Sequence, residues 1–199
     1  MLFRSLNMPG TYKDVKDTSL TAQFKVKENH KSKFLFDVIK NLPIGGQGAV
    51  FILAWTTTPW TLPANSALTV GKNINYVLVK TFNPYTYLPV NVVLAKDLVG
   101  KYFTEKGKDG DFEGFESTDK KLIPWSVLKE FKGSDLENIE YEQLLPYVAP
   151  PAPDGGAFRV IIGDFVTTED GTGVVHTSPT FGADDFRVAQ QHEIGRAHV

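Results

Sequence analysis

Short apolar runs closed by glycine, proline or asparagine recur along this chain of 199 residues. One of them, Leu20–Val26, alternates apolar with polar residues, which is the pattern of a β-strand with one buried face. Another, Ala49–Ala54, is apolar throughout and follows the glycine-rich turn Gly45–Gly48, as expected for a short, fully buried strand. The same criteria predict three further strands, at Ala67–Val70, Tyr76–Lys80 and Asn91–Ala95. Many short strands of this kind favour a β-rich domain.

The second half of the chain mixes helical and extended segments. Helices are predicted at about Leu98–Thr104, Ser126–Phe131 and Ala183–His192. Strands are predicted at Phe158–Thr167 and Gly173–Thr177, joined by a hairpin turn at Asp170-Gly171, and the prolines and glycines of Pro146–Gly156 predict a loop. The expected fold class is therefore mixed α/β and β-rich, a single barrel-like domain of short strands with peripheral helices.

Composition limits the classes of protein to which the chain can belong. Its 42% hydrophobic residues suffice for a core, and no apolar run approaches the roughly 20 residues of a membrane helix. The absence of cysteine excludes a disulfide framework and a thiol nucleophile. The chain shows no signal peptide, so we expect a soluble, cytoplasmic monomer. We expect Met1–Leu6 and Gly195–Val199 to be the edges of a segment cut from a longer protein.

The charge balance bears on the choice of partners. Lys and Arg number 21 against 23 Asp and Glu, which gives a formal net charge of −2. A domain that holds a nucleic-acid backbone by itself usually carries a basic excess. Any nucleic acid that this chain contacts is therefore expected to be held mostly by something else.

The segment Ala54–Asn65 is the most unusual stretch of the sequence. It places four threonines beside two tryptophans and two prolines. One interpretation is a strand end, because strands favour β-branched residues. The other is a small, preformed pocket, because the consecutive hydroxyls of Thr56, Thr57 and Thr58 need hydrogen-bond partners wherever they are buried. These residues alone favour neither interpretation.

A second unusual segment, Gly171–Asp185, contains one histidine and two adjacent acids, His176, Asp184 and Asp185. A single histidine in a strand is more often structural than catalytic. Two acids at the start of a helix complement its dipole. Adjacent acids generally face different ways, however, so that one carboxylate can point into a cleft and bind a ligand's ammonium group.

The motifs of several common enzyme classes are missing from the sequence. It contains no GxxxxGK[ST] phosphate loop, no GxSxG nucleophile elbow and no HExxH metal pair. The four histidines, His30, His176, His192 and His198, show no metal-ligand spacing. We therefore expect neither a metal nor another cofactor.

Taken together, the two unusual segments resemble the signature stretches of the editing domain of isoleucyl-tRNA synthetase. This domain, also called connective polypeptide 1, is an insertion in the catalytic domain of a class I synthetase. Both stretches, Trp55–Asn65 and Gly171–Asp185, occur in order in a chain of about the expected length. Valyl and leucyl enzymes carry an arginine where this chain has Thr58, and valyl enzymes usually carry a lysine where it has His176. Both positions favour the isoleucyl family.

Two further features qualify this resemblance. Ser178 stands where alanine is common in the family, a minor change that we do not expect to alter activity. The HIGH-like and KMSKS-like signatures of the catalytic domain are missing from the chain. The resemblance therefore implies a segment that edits and does not activate isoleucine with ATP.

The resemblance implies a second, smaller pocket that hydrolyses valine esters of tRNA(Ile) and excludes isoleucine. A pocket for isoleucine rejects valine by only about 1–3 kcal/mol, a limit for which the isoleucyl enzyme is itself the standard illustration. The catalytic residues implied are Thr57, Thr58 and Asp185, with Asp185 holding the α-ammonium group beside an attacking water. The substrate-binding residues implied are Thr56, Trp60, Asn65, His176 and Asp185. Trp60 and Asn65 would shape the floor of the pocket and place the terminal adenosine.

The partners implied by the resemblance are the 3′ end of tRNA(Ile) carrying valine and the remainder of the parent synthetase. Valyl-adenylate is a further substrate that the family suggests. Two alternatives stay open at this point. One is a non-catalytic module that binds the aminoacylated 3′ end of tRNA, and the other is the same editing activity in a valyl or leucyl relative.

Overall fold

The computed structural model describes residues 18–42, 48–115, 122–147 and 156–194. Its eight strands are β1 (Leu20–Lys25), β2 (Ala49–Thr56), β3 (Ala67–Val70), β4 (Asn75–Phe82), β5 (Pro89–Ala95), β6 (Ser126–Lys132), β7 (Arg159–Ile162) and β8 (Val174–Thr177). Its α-helices are α1 (Lys33–Lys40), α2 (Val99–Tyr102), α3 (Gly133–Leu136) and α4 (Ala183–Gln191). Short 3₁₀ helices span Pro59–Ala64, Lys96–Leu98 and Glu105–Gly107.

Five strands form the larger sheet, in the order β1-β2-β5-β4-β6. The β2–β5 pair is parallel, and the other three pairs are antiparallel. In β2, Ile52 and Ala54 face one apolar cluster while Leu53 faces another on the opposite side of the sheet. Because both faces of this strand are covered, its sequence is a continuous apolar run rather than an alternating one.

The smaller sheet has three strands in the order β7-β3-β8. Strand β3 pairs in parallel with β7 and antiparallel with β8. The two sheets meet where β2 packs against β8. The two unusual segments of the sequence therefore lie next to each other, because one follows β2 and the other contains β8.

The main core lies between the two sheets. It includes Phe24 and Ile52 from the larger sheet and Leu68 and Val160 from the smaller one, all of which are fully buried. Helix α4 closes the outer side of the smaller sheet by burying Val188 and Ala189 against β3 and β7. This packing holds the first turn of α4 beside the end of β8.

The mixed α/β, strand-rich fold class predicted from the sequence is confirmed. All five strands predicted in the first half of the chain are present, with bounds within two residues of those expected. The predicted helices at 98–104 and 183–192 are also present, as α2 and α4. The barrel-like arrangement takes the form of two sheets joined at β2 and β8.

The helix predicted at Ser126–Phe131 is wrong, because these residues form strand β6. They pair antiparallel with β4, from Lys132 opposite Asn75 to Ser126 opposite Lys80. Without β6, the outer edge of β4 would expose a row of unpaired backbone groups. This long-range pairing outweighs a weak local preference for helix.

The predicted hairpin between Phe158–Thr167 and Gly173–Thr177 is also wrong. Strands β7 and β8 do not pair with each other, since β3 lies between them. Strand β7 ends at Ile162 because its partner β3 ends opposite it, at Val70. The chain from Gly163 to Gly173 is therefore a connection between strands that are not neighbours in the sheet.

Several sequence predictions lie outside the described residues. These are the segment edges Met1–Leu6 and Gly195–Val199, the glycines before Gly48, and most of the loop at Pro146–Gly156. Within the described ranges, no helix is long and apolar enough to cross a membrane.

Candidate active site

A cleft of about 620 Å³ opens where the two unusual segments meet. One of its walls comes from the end of β2 and the 3₁₀ helix that follows, and the other comes from β8, the turn before it and the start of α4. Six of the predicted site residues line this cleft: Thr56, Thr57, Thr58, Trp60, His176 and Asp185. The structure thus brings together residues that are more than 100 positions apart in the sequence.

The first wall, which we call the hydroxyl wall, is formed by Thr56, Thr57, Thr58 and Thr61. The Thr58 amide donates to Thr56 Oγ1 at 3.0 Å, and the hydroxyls of these two residues lie 3.2 Å apart. Thr57 and Thr58 expose their side chains, whereas Thr56 is buried. These bonds close a tight turn before Pro59, which begins the 3₁₀ helix.

Thr61 connects the hydroxyl wall to His176. Its hydroxyl donates to the Thr58 carbonyl at 2.8 Å and lies 2.9 Å from His176 Nε2. Thr61 was not among the predicted site residues. Its position three residues after Thr58 indicates that the two lie together, because residues three apart in a 3₁₀ helix are on the same side.

His176 is buried in β8, with the residue 7% exposed. Burial lowers the pKa of its imidazole from 6.5 to about 4. The ring is therefore neutral near pH 7 and contributes a hydrogen-bonding surface to the cleft rather than a positive charge.

The second wall begins with the turn Gly171–Gly173. Both glycines have positive φ angles, 70° and 72°. A Cβ atom on Gly171 would lie 3.1 Å from the Trp55 ring, so a side chain there would push that ring aside. Thr172 Oγ1 donates to the Leu53 carbonyl at 2.7 Å, and the buried Tyr76 hydroxyl donates to the Gly173 carbonyl at 2.6 Å. The turn is thus fixed to two strands of the larger sheet, β2 and β4.

Asp185 supplies a carboxylate from the first turn of α4. It accepts a hydrogen bond from the Ser178 amide at 3.1 Å. Burial raises the pKa of this carboxyl group, the Ser178 amide opposes the rise, and the neighbouring Asp184 adds to it. A half-buried carboxylate of this kind gains from binding a cation.

The two adjacent acids face different surroundings, as the sequence predicted. Asp184 is exposed and lies 3.3 Å from Arg187, whereas Asp185 lines the cleft. Asp170 also lines the cleft, but its carboxylate is paired with Lys101 at 2.9 Å. Within the described residues, Asp185 has no such ion pair.

Three exposed aromatic side chains border the cleft. Trp55 is 37% exposed, Trp60 is 61% exposed and Phe181 is 57% exposed. They offer flat surfaces on which a base or another planar group can stack.

Asn65 does not line the cleft, and the expected contact with the adenosine is not supported by its position. It is 5% exposed, and its amide is used within the core. Its Nδ2 donates to the Ala67 carbonyl at 2.9 Å, and its Oδ1 accepts from the Tyr141 hydroxyl at 2.7 Å. Asn65 instead fixes the end of the 3₁₀ helix against the main core.

Sequence comparison matches the chain to one segment of isoleucine–tRNA ligases. It is 60% identical over 185 residues to the ligase of Cytophaga hutchinsonii and 52% identical over 185 residues to that of Bacteroides fragilis. Each alignment covers 93% of this chain and 15% of the relative, so the chain spans about 15% of the length of these proteins. No protein-family model matches it.

Structural comparison matches the fold to a known domain. The editing domain of the P. falciparum cytosolic leucyl-tRNA synthetase is similar, with a TM-score of 0.58 and 12% sequence identity. The similarity covers 84% of this chain and 63% of that one. At this level of identity, the likeness is one of fold.

Proposed function

The chain belongs to the isoleucyl-tRNA synthetase family and has the fold of a synthetase editing domain, and we propose that it hydrolyses the ester of mischarged valyl-tRNA(Ile). The observation that carries the proposal is that the carboxylate of Asp185, which forms no ion pair with any described residue, lies in the same cleft as the hydroxyl wall. An aminoacyl ester carries an ammonium group beside its carbonyl carbon. The cleft offers a partner for each of these groups.

Asp185 is the proposed anchor for the α-ammonium group. Of the other two carboxylates that line the cleft, Asp170 already has Lys101 as a partner, and Glu169 is exposed to solvent, whereas Asp185 is half-buried. A charge-assisted bond from the substrate to Asp185 would fix the ester relative to an attacking water, which is a large part of what catalysis requires. In this role the raised pKa of Asp185 is consistent with a carboxylate that lacks its cation.

The hydroxyl wall is the proposed gauge of side-chain size. Three of its threonines, Thr56, Thr58 and Thr61, are bonded to one another, and Thr61 also contacts His176, so their positions are fixed before a substrate arrives. A close-packed, rigid wall disfavours a ligand with one extra methylene, because the overlap would force side chains of the wall out of their preferred positions. Valine would fit, and isoleucine would overlap with the wall. Thr58, which is exposed to the cleft, is the residue that we assign to this contact.

The proposed reaction needs only a positioned water and donors for the developing oxyanion. The water oxygen bonds to the ester carbonyl carbon, and the carbon–oxygen bond to the ribose breaks. The ribose oxygen takes up a proton, which leaves free valine and uncharged tRNA. The hydroxyls of Thr57 and Thr58 are the proposed donors at the cleft surface, with a terminal ribose hydroxyl of the tRNA as a helper.

The rest of the substrate is assigned to other surfaces. Trp60 and Phe181 are the proposed contacts for the terminal adenosine, because they are exposed beside the cleft. The formal net charge of −2 gives little hold on the tRNA backbone. The remainder of the parent synthetase is therefore the proposed holder of the tRNA, with this chain as a monomeric editing module in the cytoplasm.

The test is deacylation of tRNA(Ile) charged with either valine or isoleucine, at high concentrations of the chain. We expect release of valine to be faster than release of isoleucine. Valyl-tRNA that binds without release of valine would replace the proposal with a non-catalytic binding module. Faster release from tRNA(Val) or tRNA(Leu) carrying their own mischarged amino acids would assign the activity to a different synthetase specificity.

A further inference from the structure

One side of the cleft is a segment that belongs to neither sheet. It runs from Asp164 to Asp170, between β7 and the turn before β8, and we call it the 164–170 segment. Four of its residues line the cleft: Phe165, Thr167, Glu169 and Asp170. From Phe165 to Thr168, no hydrogen bond joins it to any other described residue. A stretch held by so few bonds is easily displaced, so its position depends on what holds its two ends.

The first end of the segment is held by strand β3 and helix α4. The Gly163 amide donates to the Val70 carbonyl at 3.0 Å. The Arg187 guanidinium donates to the Asp164 carboxylate at 2.7 Å. Phe165, the next residue, packs against the apolar cluster beneath α4. These contacts stop at Phe165, and the rest of the segment depends on its other end.

The other end is held by Lys101. Its ammonium group donates to the Glu169 carbonyl at 2.5 Å and to the Asp170 carboxylate at 2.9 Å. One side chain thereby fixes both a backbone group and a side chain of the segment. Lys101 lies in α2, which is anchored to the larger sheet by the buried Val99. The Lys101 side chain is 49% exposed, so it can be replaced without disturbing the core.

Lys101 is not among the described residues that line the cleft, although Glu169 and Asp170 are. Resting on the proposed function, we propose that Lys101 is a positioning residue for the editing reaction, which keeps the 164–170 segment in place beside the bound ester. It acts through Glu169 and Asp170 and does not touch the reacting atoms. Without Lys101, the segment has to be ordered each time a substrate binds, and the cost of that ordering weakens binding.

The expected effect is modest, because the Lys101–Asp170 pair is exposed to solvent. An exposed ion pair contributes up to about 5-fold in an equilibrium constant, and a charge-assisted hydrogen bond to a carbonyl adds to this. Loss of Lys101 should therefore reduce substrate binding by about 3- to 10-fold. Because the ordering is needed for binding, the loss should be in KM and not in kcat.

The first experiment measures deacylation of valyl-tRNA(Ile) by the 199-residue chain. Lys101→Met should lower kcat/KM by about 3- to 10-fold, and Lys101→Arg, which can bond to the same two oxygens, should restore most of it. The matched control is Lys96→Met. Lys96 is 52% exposed and pairs with Glu130 at 2.7 Å, away from the cleft. It should change kcat/KM by less than about 2-fold. Equal losses in Lys101→Met and Lys96→Met overturn the inference.

The second experiment separates positioning from attraction of the tRNA backbone by the charge of Lys101. The probe is adenosine carrying valine through a non-hydrolysable 3′-amide, which has no phosphate group. Titration calorimetry should show about 3- to 10-fold weaker binding to Lys101→Met than to the wild-type chain. The same substitution should cost less in an Asp170→Asn background, where one of its two contacts is already weakened. Unchanged affinity for the probe would assign Lys101 to the RNA phosphates and overturn the inference.

The third experiment measures the mobility of the segment directly. Amide ¹⁵N order parameters from Phe165 to Asp170 should fall from about 0.85 towards about 0.6 in Lys101→Met and stay unchanged in Lys96→Met. The free energy of unfolding should be the same in both variants. Unchanged order parameters in Lys101→Met overturn the inference.

The outcomes separate this inference from the function on which it rests. A wild-type chain that hydrolyses valyl-tRNA(Ile), together with a fully active Lys101→Met variant, overturns the role of Lys101 and leaves valine editing standing. A wild-type chain that neither hydrolyses valyl-tRNA(Ile) nor binds the probe overturns the proposed function, and the positioning role with it. A loss of binding and of segment order specific to Lys101→Met supports both.

Discussion

The two walls of the cleft are built in different ways. The hydroxyl wall has its own hydrogen-bond network. Thr58 bonds to Thr56 and Thr61, and Thr61 also bonds to His176. On the opposite wall, Asp185 accepts one backbone hydrogen bond and has no cation among the described residues. One wall is fixed in shape, and the other leaves a charge available. The difference matches the two roles proposed above, in which the hydroxyl wall limits the size of the bound side chain and Asp185 binds the ammonium group.

The walls also differ in the sequence separation of the residues that form them. The hydroxyl wall comes from one turn and one 3₁₀ helix, with a single long-range bond to His176. The opposite wall depends on residues from several strands, because Thr172 bonds to Leu53 and Gly173 bonds to Tyr76. The hydroxyl wall can therefore be predicted from a short stretch of sequence, whereas the opposite wall forms only when both sheets have folded.

The largest expected effect is the loss of activity on changing Asp185. Asp185→Asn keeps the size of the side chain but removes the charge, so deacylation of valyl-tRNA(Ile) should fall by at least about 100-fold through loss of substrate orientation. Single-turnover release of labelled valine measures it. The matched control is Asp184→Asn, which alters the adjacent exposed acid and should change the rate by less than about 2-fold. Equal losses in both variants would contradict the assignment of the anchor.

The next effect concerns the pH dependence of stability. The folded pKa of His176, about 4, lies below its ordinary value of 6.5. The buried neutral ring therefore contributes fully to stability above pH 6.5, and that contribution is lost as the pH falls from 6.5 through 4. The loss should be about 3 kcal/mol. It is measured as the difference in free energy of unfolding between the wild-type chain and His176→Gln at each pH, a difference from which other titrating groups cancel.

A pH-independent difference between those two proteins would show that the histidine is solvated in the folded state. The raised pKa of Asp185 acts in the opposite direction, since a raised carboxyl pKa contributes stability at low pH that is lost as the pH rises. Asp185 is present in both proteins and does not enter the comparison.

A smaller effect is expected within the hydroxyl wall. Thr61→Val removes the hydroxyl that joins Thr58 to His176 and leaves His176 Nε2 without this partner in a buried place. The free energy of unfolding should fall by about 1–3 kcal/mol in urea titrations. Thr61→Ser retains the hydroxyl and should recover most of that loss. If serine is no better than valine, the methyl group rather than the hydrogen bonds supports the wall.

The smallest expected effect tests the size gauge. Thr58→Ala removes a methyl group and a hydroxyl from the cleft surface, where the contacts of that hydroxyl with other described residues are long, at 3.2 and 3.4 Å. Hydrolysis of isoleucyl-tRNA(Ile) relative to valyl-tRNA(Ile) should rise by about 10-fold, the scale of one methylene in a pocket. Thr57→Ala is the comparison variant. If Thr58→Ala leaves the selectivity for valyl-tRNA(Ile) over isoleucyl-tRNA(Ile) unchanged, Thr61 or His176 would be the residue that limits side-chain size.

Local patterns in the sequence predicted the elements that surround the cleft. Alternating or continuous apolar runs identified β1 to β5, and the acids at the start of α4 indicated that helix. The threonine-rich segment and the segment around His176 were recognised from residue types at short spacing. These features depend on neighbours within a few positions, so a sequence contains the information needed to predict them.

Other features could not be predicted, because their causes are distant in the chain. Ser126–Lys132 is a strand because β4 offers it a free edge, and β7 and β8 are separated because β3 enters between them. Asn65 resembled a site residue, but Tyr141 and Ala67 hold it in the core. Thr61 acquires its place in the site from a bond to a residue 115 positions away.

The sequence by itself determined the strand-rich fold class, the two chemically unusual segments and the family that they resemble. Only the tertiary structure decided that Thr61 lines the cleft in addition to the run before it, and that Asn65 lies in the core instead. The physical reason is that the nature of a side chain is local, whereas its burial and its hydrogen-bond partners are set by strands and helices that meet only when the two sheets pack together.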